Sequence, residues 1–231
     1  CGPKNRWDWT YPGWFCPEKE LRQAKRSRRE CNVGPSAFAV FLTSFERVYL
    51  EGVLKRMVLY VHHSHPDVDI VILVANDLTQ ATLQPLYDWA KDYTHNTKSR
   101  LKIIAPIQPE EEDIPENLKK LAASVWNCCG WREYLKLSAW TLVQYSRIIL
   151  IDGDVRVAQP VPELLYGCSE YDFLSTTDLE TALNGGLLVL KPSLETYEDM
   201  LRTLQNTRYT AYDGWNNTGP LYARDYLNPF N

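Results

Sequence analysis

From residue 37 onward, short apolar runs alternate with longer stretches of mixed apolar and polar residues. Asp69–Ala75 (DIVILVA) and Arg147–Ile151 are β-branched and lack polar alternation, which marks strands buried on both faces. Ala37–Thr43, Leu101–Ile107, Phe173–Thr176 and Leu187–Leu190 read as further strands. Between them, Glu46–His62 carries Val48, Leu50, Val53, Leu54, Met57, Val58 and Val61 spaced as one broad helical face. Leu78–Tyr93 is helical in pattern, with Pro85 expected to kink or break it. Glu133–Tyr145 reads as a helix feeding the strand at Arg147, and Ser193 as the cap of a helix running to Leu204. The acidic stretch Glu110–Asp113 fits a solvated loop. Strand–helix alternation of this kind predicts an α/β fold: a mostly parallel central sheet flanked by helices on both faces.

Residues 1–35 follow no such period. Trp7, Trp9, Tyr11, Trp14 and Phe15 crowd together around Pro12 and Gly13, and Gly34-Pro35 closes the segment. An irregular, aromatic-rich extension over 1–35 is expected to pack on a single domain over 36–231, held by aromatic burial.

Composition narrows the class. At 231 residues, 45% hydrophobic and 23% charged, the chain is long enough for one large α/β domain. A net charge of −4 argues against a general nucleic-acid surface, and the basic cluster from Lys19 to Arg29 reads as a solvated helix face. No apolar stretch reaches the roughly 18–20 residues of a membrane span. The chain begins at Cys1 without Met, so a processed or excised domain is expected, with an upstream anchor left open.

Cys1, Cys16, Cys31, Cys128, Cys129 and Cys168 have no zinc-type spacing and suggest disulfides. With the sequon at Asn216, they predict a Golgi or ER lumenal, or secreted, location. His62, His63 and His65 end the first helix, and they are expected at the surface with His95 rather than as ligands.

Chemistry concentrates at Asp152-Gly153-Asp154, which follows the buried run at 147–151. Ligands of open α/β sheets bind outside the carboxyl ends of the strands. Two carboxylates there suit a divalent cation that a diphosphate can share, and Gly153 would leave room for the ligand. An ordinary acidic turn is the alternative. Thr43 and Ser44 end the first strand, where a nucleotide can meet backbone N–H groups at a helix start. No glycine-rich dinucleotide or P-loop motif is present, so those cofactor classes are disfavoured.

Several segments together resemble the glycogenin-like retaining glycosyltransferases of family 8. They are 136–154 (KLSAWTLVQYSRIILIDGD), 161–165 (VPELL), 183–197 (LNGGLLVLKPSLETY) and 40–44 (VFLTS), in order and at compatible spacing from about Ala37 to Arg224. The resemblance implies a GT-A type domain that moves a hexose from a UDP-sugar to a glycan or protein acceptor. It implies that Asp152 and Asp154 hold Mn²⁺ (or Mg²⁺) and the diphosphate, and that Lys136 reaches the donor sugar or its phosphate. Thr43, Ser44 and Gly153 would then line the nucleotide site, and Tyr49 would stack on the base. Asn184 and Gly185 would contact the sugar near its anomeric carbon, Asp178 its hydroxyls, and Asn217 would stand at the acidic-amide pair.

Two segments depart from the family pattern. The family's G-G-D-Q-G loop corresponds to 213–219 (DGWNNTG), where Asn217-Thr218 replaces the acidic-amide pair unless Asp213 serves through a shifted loop. No histidine follows the D-x-D to complete the metal site, so the domain is either C-terminally truncated or incomplete there. A catalytically inactive module that binds or assembles is therefore the alternative reading, with a metal-dependent hydrolase third.

Overall fold

The computed structural model describes residues 34–119, 130–166, 172–176, 184–206, 209–210 and 214–215. The extension at 1–33, all six cysteines and the sequon lie outside these residues.

Six strands form one sheet: β1 (Ser36–Leu42), β2 (Asp69–Val74), β3 (Leu101–Ile104), β4 (Arg147–Ile151), β5 (Phe173–Thr176) and β6 (Asn184–Leu190), in the order β3-β2-β1-β4-β6-β5. The β3–β2, β2–β1 and β1–β4 pairs are parallel, while β6 runs antiparallel to both β4 and β5. Five strands thus share one direction and β6 opposes them. The mostly parallel central sheet expected from the sequence is observed. A two-stranded ribbon, β7 (Tyr209–Thr210) with β8 (Gly214–Trp215), is separate.

Period-2 alternation divides the core between the two faces of this sheet. On one face Phe38, Val40, Leu42, Ile70, Ile72, Val74, Ile149 and Ile151 are buried. They pack under α1, a helical run of α register over Arg47–Tyr49, π register over Leu50–Leu54 and α register over Lys55–Ser64. On the same face lie α2 (Gln80–Thr97) and Leu165 of the short helix α3 (Pro162–Tyr166). On the opposite face Ala37, Ala39, Val71, Leu73, Ile148, Leu150 and Leu190 meet Ala139, Trp140, Leu142 and Tyr145, together with Tyr197 of α4 (Leu194–Asn206).

Several expectations change. Val48, placed on the apolar face of α1, is 80% exposed because the apolar stripe begins at Leu50. Pro85 sits inside α2 without ending it. The sequence 101–107 leaves the sheet after Ile104, whereas β6 begins three residues before the expected Leu187. The stretch expected as an α-helix at 133–145 is a 3₁₀ helix over Gly130–Thr141. Its tighter winding eclipses side chains three apart. The acidic stretch forms a 3₁₀ turn, Glu111–Asp113, closed by a capping box from Glu110 and Asp113.

His65 is not at the surface. It is buried beside Phe38, its ring centroid 5.1 Å away, and its Nε2 accepts the Val161 N–H at 3.1 Å. The imidazole completes the join between the end of α1 and the start of α3.

Candidate functional site

The carboxyl ends of β1, β2 and β4 gather at one edge of the sheet, and the amino end of antiparallel β6 joins them. Alternation along β4 continues into the turn. Ile148 and Leu150 face the 3₁₀ helix, and so does the next residue of that parity, Asp152. Ile149 and Ile151 face α1, and Gly153 meets Tyr49 of α1. The turn is closed by Val155 N–H donating to the Asp152 carbonyl at 3.0 Å, and Asp152 N–H donates to the Gly186 carbonyl of β6 at 3.1 Å.

Lys136 reaches this turn from the 3₁₀ helix. Its Nζ lies 2.8 Å from Asp152 Oδ1 and 2.9 Å from Glu133 Oε2, three residues back on the same helix. Burial alone would lower the lysine pKa, but the hydrogen bonds and charges of Asp152 and Glu133 outweigh it and hold the pKa above the ordinary value. Lys136 is therefore an ammonium at neutral pH. It also lies beside the β6 backbone, since a Cβ added at Gly185 would stand 3.7 Å from its Nζ.

Tyr49 closes the other side. Any side chain at Gly153 would collide with the Tyr49 hydroxyl, so the space that glycine was expected to leave for a ligand is filled by tyrosine. Burial and the charges of Asp154 and Asp152 push the Tyr49 phenol up to about 12. It stays protonated and can only donate or accept a hydrogen bond, not carry charge, near neutral pH. The π segment that starts at Leu50 follows Tyr49 directly. Such segments recur at functional sites.

One guanidinium ties the neighbouring loops. Arg132 donates from Nη1 to the Thr43 carbonyl and to Asp77 Oδ1, each at 3.0 Å, and its Nη2 pairs with Asp77 Oδ2. The hydrogen bonds it donates hold the Asp77 carboxyl below the usual carboxylate range. A cavity of about 380 Å³ opens one strand further, walled by Ala75, Asn76, Leu78 and Tyr87 beside Asp77.

Asp152, Gly153, Asp154, Lys136, Tyr49 and Gly185 thus meet in one place, with Thr43 and Ser44 in the bend that follows the neighbouring strand β1. Asn184 begins β6 opposite Thr176. Asp178 and Asn217 lie outside the described residues. Arg132, Asp77 and Glu133 were not anticipated. The i, i+3 spacing of Glu133 and Lys136 was visible and places both on one side of a helix. Nothing local links Arg132 to Asp77.

No family model matches the chain. It is 27% identical over 162 residues to galactinol synthase 1 of Arabidopsis thaliana, a match covering 55% of this chain and 42% of that protein. It is 29% identical over 84 residues to inositol phosphorylceramide glucuronosyltransferase 1 of the same plant, covering 36% of this chain and 15% of that one. The chain is a homologue of galactinol synthases and glucuronosyltransferases. These relatives bear out the family 8 resemblance read from its motifs. The chain spans about half, or less, of their length. Among solved structures, a mannosyltransferase from Pyrobaculum calidifontis in complex with GDP-Man and Mn²⁺ aligns at 14% identity and a TM-score of 0.41, covering 78% of this chain and 53% of that one.

Among the described residues no helix is long and apolar enough to cross a membrane. No group of three or more His, Cys, Asp or Glu is arranged there to hold a metal.

Proposed function

We propose that this domain binds a UDP-sugar at the carboxyl edge of its sheet and transfers the sugar, with retention of configuration, to a glycan or glycoprotein acceptor. The observation that carries this reading is the acidic turn after β4, with the Lys136 ammonium 2.8 Å from Asp152 and the β6 glycines alongside.

The donor set fits a shared cation. Asp152 and Asp154 offer carboxylate oxygens from a single turn, Asp152 partly exposed and Asp154 exposed. Two protein oxygens suit Mn²⁺ or Mg²⁺ where a diphosphate and water complete the shell. Such an ion, when bound, would neutralise charge on the departing diphosphate.

The remaining roles fall to the chain itself. Lys136 would offer its ammonium to the leaving phosphate oxygens, where charge develops as the sugar–phosphate bond breaks. Glu133 would keep that ammonium at the site while Asp152 serves the cation. Tyr49, held protonated, would border the nucleotide and shield the turn from water. Thr43 and Ser44 would line the nucleoside pocket, and Asn184 and Gly185 the sugar. Asp178 and Asn217 are assigned to the sugar hydroxyls and the anomeric centre from the resemblance alone. The names of the relatives favour a hexose or a hexuronate as the transferred group. The six cysteines and the sequon favour a lumenal or secreted setting.

The test is a panel of UDP-glucose, UDP-galactose, UDP-N-acetylglucosamine and UDP-glucuronate with Mn²⁺ or with EDTA, read as released UDP and by NMR of the product anomer. One donor should be consumed only with metal, and Asp154→Asn should reduce the rate by about a hundredfold or more. If the panel gives no turnover while UDP still binds, the transferase reading is wrong and a binding module takes its place.

A further inference from the structure

Among the described residues, Arg132 is a strongly bonded cation at this edge that the transfer chemistry above does not use. It stands four residues before Lys136 on the 3₁₀ helix. Its guanidinium reaches two loops from different strands: Asp77 after β2 and the Thr43 carbonyl after β1. Both partners of the ion pair are open to water, with side chains 31% and 55% exposed. A pair of that exposure adds little to global stability. Stability is thus a weak reason for spending a forked, three-contact arginine here.

The geometry has a local consequence instead. The sheet hydrogen bonding between β1 and β2 runs out with Ala75 N–H donating to the Leu42 carbonyl at 3.1 Å. Beyond it the chain bends through Thr43 and Ser44 before α1 begins at Arg47. This bend carries Thr43 at its start and leads to Tyr49, whose hydroxyl lies against Gly153. The Arg132 bond to Thr43 pins the bend at its first residue. The bidentate hold on Asp77 keeps the guanidinium from turning away, since a planar fork held at two oxygens has one orientation.

We propose that Arg132 is a positioning residue for the nucleoside end of the donor. Through Asp77 and the Thr43 carbonyl it fixes the bend that presents Thr43 and Tyr49, and so sets nucleotide affinity rather than the rate of transfer. The inference rests on the proposed function. It adds that the 3₁₀ helix serves both ends of the donor, with Lys136 at the phosphates and Arg132 at the nucleoside wall.

The experiment is calorimetric titration of UDP with Mn²⁺ into wild type, Arg132→Lys, Arg132→Gln and Asp77→Asn, beside melting temperatures and steady-state kinetics with the preferred UDP-sugar. Arg132→Gln should weaken UDP binding by about tenfold and raise KM in parallel, with kcat within about twofold and melting little changed, as expected for the loss of charge-assisted hydrogen bonds at an exposed site. Arg132→Lys, which can still donate to Thr43 without the fork, should recover part of the affinity. Asp77→Asn should fall between wild type and Arg132→Gln. Wild type that binds while Arg132→Gln binds equally well overturns this inference alone. So does a loss in Arg132→Gln that lowers kcat and melting temperature together with affinity. Wild type that binds no uridine nucleotide overturns the proposed function, and this inference with it.

Discussion

At the scale of single residues, the site is a set of side chains that hold one another. Gly153 is required where it is because Tyr49 occupies the space of a Cβ. Gly153→Ala should displace the tyrosine and weaken UDP binding by about tenfold or more, a change that calorimetry would read; unaltered affinity would mean that Tyr49 does not border the ligand. His65 makes a second residue-scale prediction. Burial lowers its pKa from 6.5 to about 4, so the folded state resists the proton that the unfolded chain accepts. The stability gained by keeping it neutral is fully present above pH 6.5 and is lost as pH falls through about 4. Denaturant titrations across this window should record a loss approaching about 3 kcal/mol, absent in His65→Gln. Parallel profiles for the two proteins would contradict the assignment. The sequence hid this residue because His62, His63 and Ser64 make its surroundings look polar. Its partners, Phe38 and the Val161 N–H, are distant in the chain.

At the scale of elements, the strands were the most legible part. β4 and β5 match their expected bounds, and in β4 every position is buried, which leaves an uninterrupted apolar run after Arg147. The helices were read less well. Periodicity identifies an apolar face but does not separate α from 3₁₀ or π winding, and here both variants occur beside the site. The Glu133–Lys136 pair has the i, i+3 spacing that any helix brings together, whereas the Arg132–Asp77 pair joins residues 55 positions apart. Caps were legible where a side chain decides them: Ser193 accepts the Thr196 N–H at 3.1 Å. Thr79 accepts the Thr82 N–H at 3.2 Å at the start of α2, a cap that was not read because the helix was expected to begin at Leu78. Thr79→Ala should cost about 1 kcal/mol in chemical denaturation and leave UDP affinity alone. Affinity that fell with it would show that the start of α2 is coupled to the site.

At the scale of the whole molecule, the sheet provides a rigid base with a buried core on each face, and the chemistry stands at its edge. Ile149, fully buried at the centre of β4, should be costly to truncate. Ile149→Ala is expected to lose about 2–5 kcal/mol of stability by denaturation. A loss under 1 kcal/mol would mean that β4 is not the packed axis that carries Asp152. The D-x-D turn was legible because it follows that strand directly. The sugar side was assigned only through resemblance, since Asp178 and Asn217 belong to segments with no strong local pattern and lie outside the described residues.

The measurement that bears most directly on the central claim is calorimetric binding of UDP to the wild-type chain and to Asp154→Asn, each with Mn²⁺ and with EDTA. Binding by the wild type should need the metal and be lost in Asp154→Asn, while melting temperature stays the same because Asp154 is exposed. Binding that ignores both the metal and the carboxylate, or no binding by the wild type at all, would contradict that claim.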